Sequence, residues 1–453
     1  MLLLVIVLAA ALCGFLFGFD EGVVSGAFPF MKQSFTFTSF SQGLMASAVP
    51  LGAFAGAFFA ATQSDRVGRR KVIMASALLF VIGLVGSTLA PSVAMLTAAR
   101  LLIGVAVGMA ALVAPQYLAE VAPPDIRGRV IGTFQFMIVI GILFAYLSDL
   151  GFASLDVDRL DEGGLRWRLM FAVGVVPAVI LLVGMLRAPE SPRWLAMKGQ
   201  REKAGTVLAD IQPGIAEHVL NRTLDEMMDH EAEGKGPGLA ALFRPGMRRL
   251  TVFAMLAFVM QQLSGINAVI FYAPQIFESL QFSNVTAQLT ATVGVGVVNL
   301  LGTIVALVIL DRIGRRTLFM IGFAGTGLAM ALIVAVFLTP AEWDNRFSLL
   351  GVFGFIAFFA VSLGPLPWIY MSELFPTELR SKGMMVAAMT NWIATFLIVL
   401  LFPIAAGAFG MLVTFSAFCV FCVAGFFFAL FFAPETRGIP LEELTDRLTK
   451  PAQ

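Results

Sequence analysis

Asp20 and Arg100 each stand in a stretch of sequence that is otherwise almost wholly apolar. An ionised Asp or Arg near the middle of a membrane helix costs roughly 2.5 to 3.5 kcal/mol on insertion scales and persists when it is paired or lines water. The two are therefore natural partners. Burial favours the neutral acid and the guanidinium favours the carboxylate, so a modest rearrangement changes whether Asp20 holds a proton. That chemistry is a proton switch; the plainer use of the same pair is a fixed salt bridge between two helices. Glu21 follows Asp20 about 100° around an ideal helix and is read as a carboxylate snorkelling toward water, with a second titrating group or a gate residue as alternatives.

A second set of polar groups in apolar surroundings is uncharged: Gln135, Gln261, Gln262, Asn267, Asn299, Asn391 beside Trp392, and Trp368. Amides both donate and accept without charge and an indole offers a flat apolar face, a combination suited to the hydroxyls and the C–H face of a sugar ring. For any one amide alone, hydrogen bonding between helices is the simpler role. Regular helix does not bring the set together, because Gln262 and Asn267 lie roughly 140° apart around an ideal helix. Ser264-Gly265 and Pro274 offer a break there, and Gly364-Pro365-Leu366-Pro367 offers another before Trp368.

The elements that must position these groups are membrane helices. The 453 residues are 59% apolar and 13% charged, with mean hydropathy +0.90, whereas soluble domains carry roughly 25% charge. Twelve runs are long and apolar enough for the roughly 20 residues of a span, so the expected fold is an all-α membrane protein of twelve transmembrane helices. The first run has no basic residues before it and no obvious cleavage site near Asp20 and Glu21, and is read as a retained span. With both termini on one side, 24 of the 30 basic residues fall on that side, which the positive-inside rule makes cytoplasmic. The three cysteines, Cys13, Cys419 and Cys422, lie in apolar runs and make no legible disulfide framework. The sequon Asn284-Val285-Thr286 falls in an expected external loop and has meaning only in a eukaryotic secretory pathway.

The chain repeats itself at long period. Asp65-Arg66-Val67-Gly68-Arg69-Arg70 recurs as Asp311-Arg312-Ile313-Gly314-Arg315-Arg316, offset 246; Glu120 and Arg127 recur as Glu373 and Arg380, offset 253; Pro189-Glu190 recurs as Pro434-Glu435, and Pro29 as Pro274, offset 245. Two six-helix halves follow, 1–187 and 250–433, joined by a polar linker 188–249 with helix-like stretches near Arg201 to Ile211 and His218 to Glu233, and followed by a cytoplasmic tail 434–453. A duplication of this kind fits alternating access about a site at the bilayer midplane. The paired Asp-Arg-x-Gly-Arg-Arg motifs, Pro189-Glu190-Ser191-Pro192-Arg193-Trp194, Gln261-Gln262-Leu263-Ser264-Gly265-Ile266-Asn267 and Pro434-Glu435-Thr436-Arg437-Gly438 resemble the sugar porter family of the major facilitator superfamily.

That resemblance runs over nearly the whole chain and implies a major facilitator fold. It implies a sugar site lined by Gln135, Gln261, Gln262, Asn267, Asn299, Trp368, Asn391 and Trp392, with Phe17 and Gly364 at two further lining positions. Phe271 departs from the tyrosine of the xylose symporter branch and leaves only Tyr272 there. Asn391 agrees with the glucose facilitators where the xylose branch has glutamine, which favours a hexose. Gly14-Phe15-Leu16-Phe17-Gly18-Phe19-Asp20 matches the proton-coupled form, with Arg100 as its partner. In the family, Arg69, Glu120, Arg127 and Glu190, and Arg315, Glu373, Arg380 and Glu435, make inter-helix ion pairs that close the cytoplasmic side; solvated topology charges are the plainer alternative. Substituting Glu373 or Arg380 is thus expected to bias the transporter inward-open, raising the labelling of cytoplasmic cysteines; unchanged labelling would discard the idea.

The function expected is a proton-coupled monosaccharide symporter, with an uncoupled facilitator as its nearest rival and a nontransporting sensor further off, since such receptors bear long tails and this chain ends twenty residues after its last run. An enzyme is disfavoured: both histidines, His218 and His230, lie in the linker, and neither metal-ligand spacing nor an activated nucleophile is present. No cofactor and no metal is expected. The net charge of +1 gives no reason to propose nucleic acid as a partner. The expected partners are a monosaccharide, protons and the lipid bilayer. A monomer is expected, and the short loops point to a bacterial inner membrane.

Overall fold

A computed structural model describes residues 2–123, 125–155, 162–232, 238–310, 312–339 and 345–437. Among these residues there are helices and no strands. The chain runs through α1 (Leu2–Ser34), α2 (Ser39–Val67), α3 (Arg69–Thr88), α4 (Val93–Val121), α5 (Arg127–Ala153), and then α6 (Leu165–Val173) and α7 (Val175–Arg187), which make one crossing. Short helices follow at α8 (Pro192–Met197), α9 (Arg201–Ile211) and α10 (Glu217–Ala232). The second set is α11 (Pro245–Leu263) with α12 (Ile266–Ser279), α13 (Val285–Ile309), α14 (Arg315–Leu338), α15 (Asn345–Phe358) with α16 (Leu366–Glu373), and α17 (Thr377–Phe432). Gly438 and the rest of the expected tail, and Asp311 of the second charged motif, lie outside the described residues.

Among the described residues eleven segments are long and apolar enough to span, but the last cannot be a single crossing. Its 51 residues from Lys382 to Phe432 would run to about 75 Å at 1.5 Å per residue, against a hydrocarbon core of about 30 Å. Gly410 breaks it with φ 81° and ψ 164°, a conformation that glycine adopts without penalty. The two arms supply spans eleven and twelve.

Several helices begin where a side chain satisfies their free N–H groups. Ser92 accepts from the amide of Met95 at 3.3 Å, and Asn284 accepts from that of Ala287 at 2.8 Å. The sequon asparagine is thus the cap of α13.

Packing divides the chain into two compact units: Met1–Val23, Ala48–Ala145 and Leu165–Gly236 in the first, and Val24–Ser47, Tyr146–Gly164 and Pro237–Gln453 in the second. The first unit is built on very close helix approach. A Cβ at Gly14 would come 2.3 Å from the Phe134 carbonyl oxygen and one at Gly18 only 1.8 Å from that of Ile138, while Gly141 of α5 faces the Phe15 carbonyl at 2.1 Å. Without water to drive association, small residues that let backbones touch hold membrane helices together. Gly18→Ala is therefore expected to destabilise the protein by about 1 to 3 kcal/mol. Gly132→Ala on the same helix pair, where a Cβ meets nothing within 4 Å, should stabilise it by about 0.5 to 1 kcal/mol. Melting the detergent-purified variants checks both; equal midpoints would refute the close approach.

Candidate functional site

In the first unit, Arg100 holds Asp20 at two points, Nη1 to Oδ1 at 3.1 Å and Nη2 to Oδ2 at 3.2 Å, and both side chains are buried. The paired, forked geometry is the one in which guanidinium and carboxylate bind best. Glu21 corrects the expectation of snorkelling. It is 9% exposed and makes no ion pair or hydrogen bond among the described residues, because this stretch of α1 is packed within the unit instead of ending at water.

In the second unit the amides converge as a network. Gln261 Nε2 donates to the Leu363 carbonyl at 2.7 Å and the Gly364 carbonyl at 3.2 Å. Gln262 Nε2 donates to Asn391 Oδ1 at 2.7 Å, and Asn267 Nδ2 donates to Gln262 Oε1. The break that this requires is at Gly265, left-handed with φ 95°; it turns Asn267 back toward Gln262. Trp368 packs edge-on against Phe258 at 4.9 Å between centroids and remains 37% exposed. Trp392 is buried beside Asn391. Asn299 is half-buried on α13, and its side chain makes no hydrogen bond among the described residues, so it stays outside the network. Phe17, half-buried on α1, and Gln135, exposed on α5, belong to the first unit.

Prolines explain why backbone takes part. A proline lacks the N–H that would reach the carbonyl four residues earlier, and three such carbonyls in this unit are taken by side chains. Pro367 frees Leu363, which accepts from Gln261. Pro274 frees Ile270, which accepts from the Tyr146 hydroxyl at 2.9 Å, and Pro403 frees Val399, which accepts from the Tyr272 hydroxyl at 2.8 Å. Tyr272 is thus committed to backbone. A π-helical turn at Phe359–Leu363 precedes Gly364, the kind of irregularity that membrane proteins tolerate around a cavity.

The charged motifs build two similar clusters, one in each unit. Arg69 pairs with Glu120 at 3.1 Å and with Asp65 at 2.9 Å, and Arg315 pairs with Glu373 at 3.2 Å. Glu190 accepts from the Arg70 amide at 3.0 Å, and Glu435 accepts from the Arg315 amide at 2.9 Å, each carboxylate capping a helix N-terminus. Arg127 is exposed with no ion pair among the described residues, and Arg380 reaches only the Phe375 carbonyl at 3.5 Å. The sequence reading missed Ser191 and Thr436, which bond Glu120 and Glu373, and Tyr117 and Tyr370, which donate to the carbonyls of Pro189 and Pro434 at 2.7 and 3.0 Å. The repeat itself contained the signal: Tyr117 and Tyr370 are offset by 253, and Ser191 and Thr436 by 245.

The three cysteines are free; Cys419 and Cys422 lie against the carbonyls of Gly327 and Ser264. Among the described residues no group of His, Cys, Asp and Glu is suited to a metal.

Twelve crossings, duplicated charged clusters and a buried amide network define a membrane transporter of the major facilitator class. The chain belongs to the sugar (and other) transporter family, whose model matches residues 6–448. It is 38% identical to the galactose-proton symporter of Escherichia coli over 447 residues, 97% of this chain and 93% of the relative. It is 35% identical to the arabinose-proton symporter of Bacillus subtilis over 440 residues, 96% and 93% of the two chains. The inward-open structure of the xylose transporter XylE from Escherichia coli superposes with a TM-score of 0.83 at 29% identity, covering 98% of this chain and 100% of that one.

Proposed function

We propose that the protein is a proton-coupled monosaccharide symporter, with a hexose as cargo, working by alternating access of its halves 1–187 and 250–433. The observation that carries the reading is the buried two-point pair of Asp20 and Arg100, a carboxyl that can hold a proton when its partner moves away. The amide network supplies the sugar site, through Gln261, Gln262, Asn267, Gly364 and Asn391, with Asn299, Trp368 and Trp392 as further contacts. Relatives named as galactose-proton and arabinose-proton symporters support coupling and leave the sugar open; Asn391 favours a hexose. Both termini lie in the cytoplasm of a bacterial inner membrane, on the side of the charged clusters, and the working form is a monomer.

A facilitator is the second reading. Complete burial of both members favours it, since Asp20 and Arg100 then form a fixed structural pair. The deciding measurement is uptake of labelled glucose, galactose, xylose and inositol into proteoliposomes with and without an inside-alkaline gradient. Gradient-dependent accumulation establishes symport and names the sugar. Equilibration indifferent to the gradient establishes the facilitator.

A further inference from the structure

α17 faces α11 and α12 with a ladder of partners. Asn391, Thr395 and Val399, one turn apart, meet Gln262, Asn267 and Tyr272. The spacing is four residues on α17 and five on the opposing chain, reconciled by the break at Gly265 and the non-helical Tyr272, φ −125°. Thr395 was not among the site residues read from the sequence.

The inventory of donors singles it out. Gln261 spends its amide protons on two carbonyls, Gln262 on Asn391 and on Gln261, and Asn267 on Gln262 and on Thr395 Oγ1 at 3.5 Å. Within this network, the donors left without an acceptor among the described residues are the Asn391 amide nitrogen and the Thr395 hydroxyl. Other buried helical threonines, Thr251, Thr292, Thr326 and Thr414, donate to the carbonyl four residues back. Thr395, 3% exposed, makes no such bond.

We propose that Thr395 is a substrate-contacting, specificity-determining residue, donating its hydroxyl proton to a sugar hydroxyl one turn along α17 from the group held by Asn391. This rests on the sugar reading above. A buried hydroxyl donor that serves no backbone carbonyl discriminates between a sugar bearing the matching hydroxyl and one lacking it.

The test is uptake kinetics of D-glucose, D-galactose and their monodeoxy derivatives in proteoliposomes of wild type, Thr395→Val and Thr395→Ser. Thr395→Val should raise KM for the parent sugar about tenfold, with the maximal rate within about twofold, and Thr395→Ser should restore it. One deoxy derivative should have the same KM in wild type and Thr395→Val, because its contact is already absent. An equal loss across the parent and every derivative, or none at all, would overturn the contact, the first by making Thr395 structural. If Thr395→Val is not recovered folded, Thr395→Ala carries the same comparison. Wild type that takes up none of these sugars overturns the sugar reading and this contact together, whereas sugar uptake with Thr395→Val unchanged overturns the contact alone.

Discussion

Asp20→Asn is expected to abolish accumulation of sugar against its gradient while leaving exchange of labelled for unlabelled sugar across the membrane. A proton moving down 100 mV contributes about 2.3 kcal/mol and each unit of pH about 1.4 kcal/mol, together enough for a roughly four-hundredfold concentration ratio. Asparagine carries no titratable proton, so the ratio should collapse toward one. The substitution also leaves the Arg100 charge buried without its counter-charge, and breaking a buried pair from one side costs about 3 to 5 kcal/mol. Low yield alone would therefore say little. The double variant Asp20→Asn with Arg100→Gln removes both charges, and should recover folded protein and exchange but not accumulation. Accumulation by either variant would mean that coupling lies elsewhere, and loss of exchange in the folded double variant would mean that the pair is structural.

How far the site was legible depended on whether its information lay in residue type or in backbone. Asp20 and Arg100 could be paired from composition alone, because two charges in apolar runs have few other ways to persist. The amides were likewise visible as polar residues in spans, and the breaks at Gly265 and before Trp368 were visible as Gly and Pro. What the sequence could not supply was which donor meets which acceptor: the Gln261 contact with the Leu363 carbonyl depends on a missing N–H four residues away, at Pro367. Tyr272 read as a hydroxyl near the sugar, and instead meets the carbonyl freed by Pro403. Thr395 carried no signal in its residue type, because threonine in a membrane helix ordinarily bonds its own backbone. Gly14 and Gly18 entered as part of a coupling motif, while their observed work is to bring α1 against α5. Asn299 resembled the other amides in type but does not join their network.

Gln262→Ala should have the largest effect within the sugar site, raising KM at least thirtyfold, about 2 kcal/mol. Gln262 is the hub: it donates to Asn391, lies 3.5 Å from Gln261 Oε1 and accepts from Asn267. Its removal strands an amide donor on Asn267 and an acceptor on Asn391, and each buried group left unpaired costs about 1 to 3 kcal/mol. Both side chains would then turn away from the positions in which they present Asn391 Nδ2 and Asn267 Oδ1 to a ligand. Asn299→Ala breaks no bond of the network and removes a single contact, so it should raise KM by about tenfold at most. Gly265→Ala probes the same network through backbone, because alanine at φ 95° is strained and its Cβ would come 2.8 Å from the Phe418 ring. If the five-against-four register holds the site together, Gly265→Ala should raise KM in the manner of Gln262→Ala although it removes no polar group. A Gly265→Ala transporter with wild-type KM would mean that Gln262 and Asn267 act as independent contacts and that the break between them has no part in assembling the site.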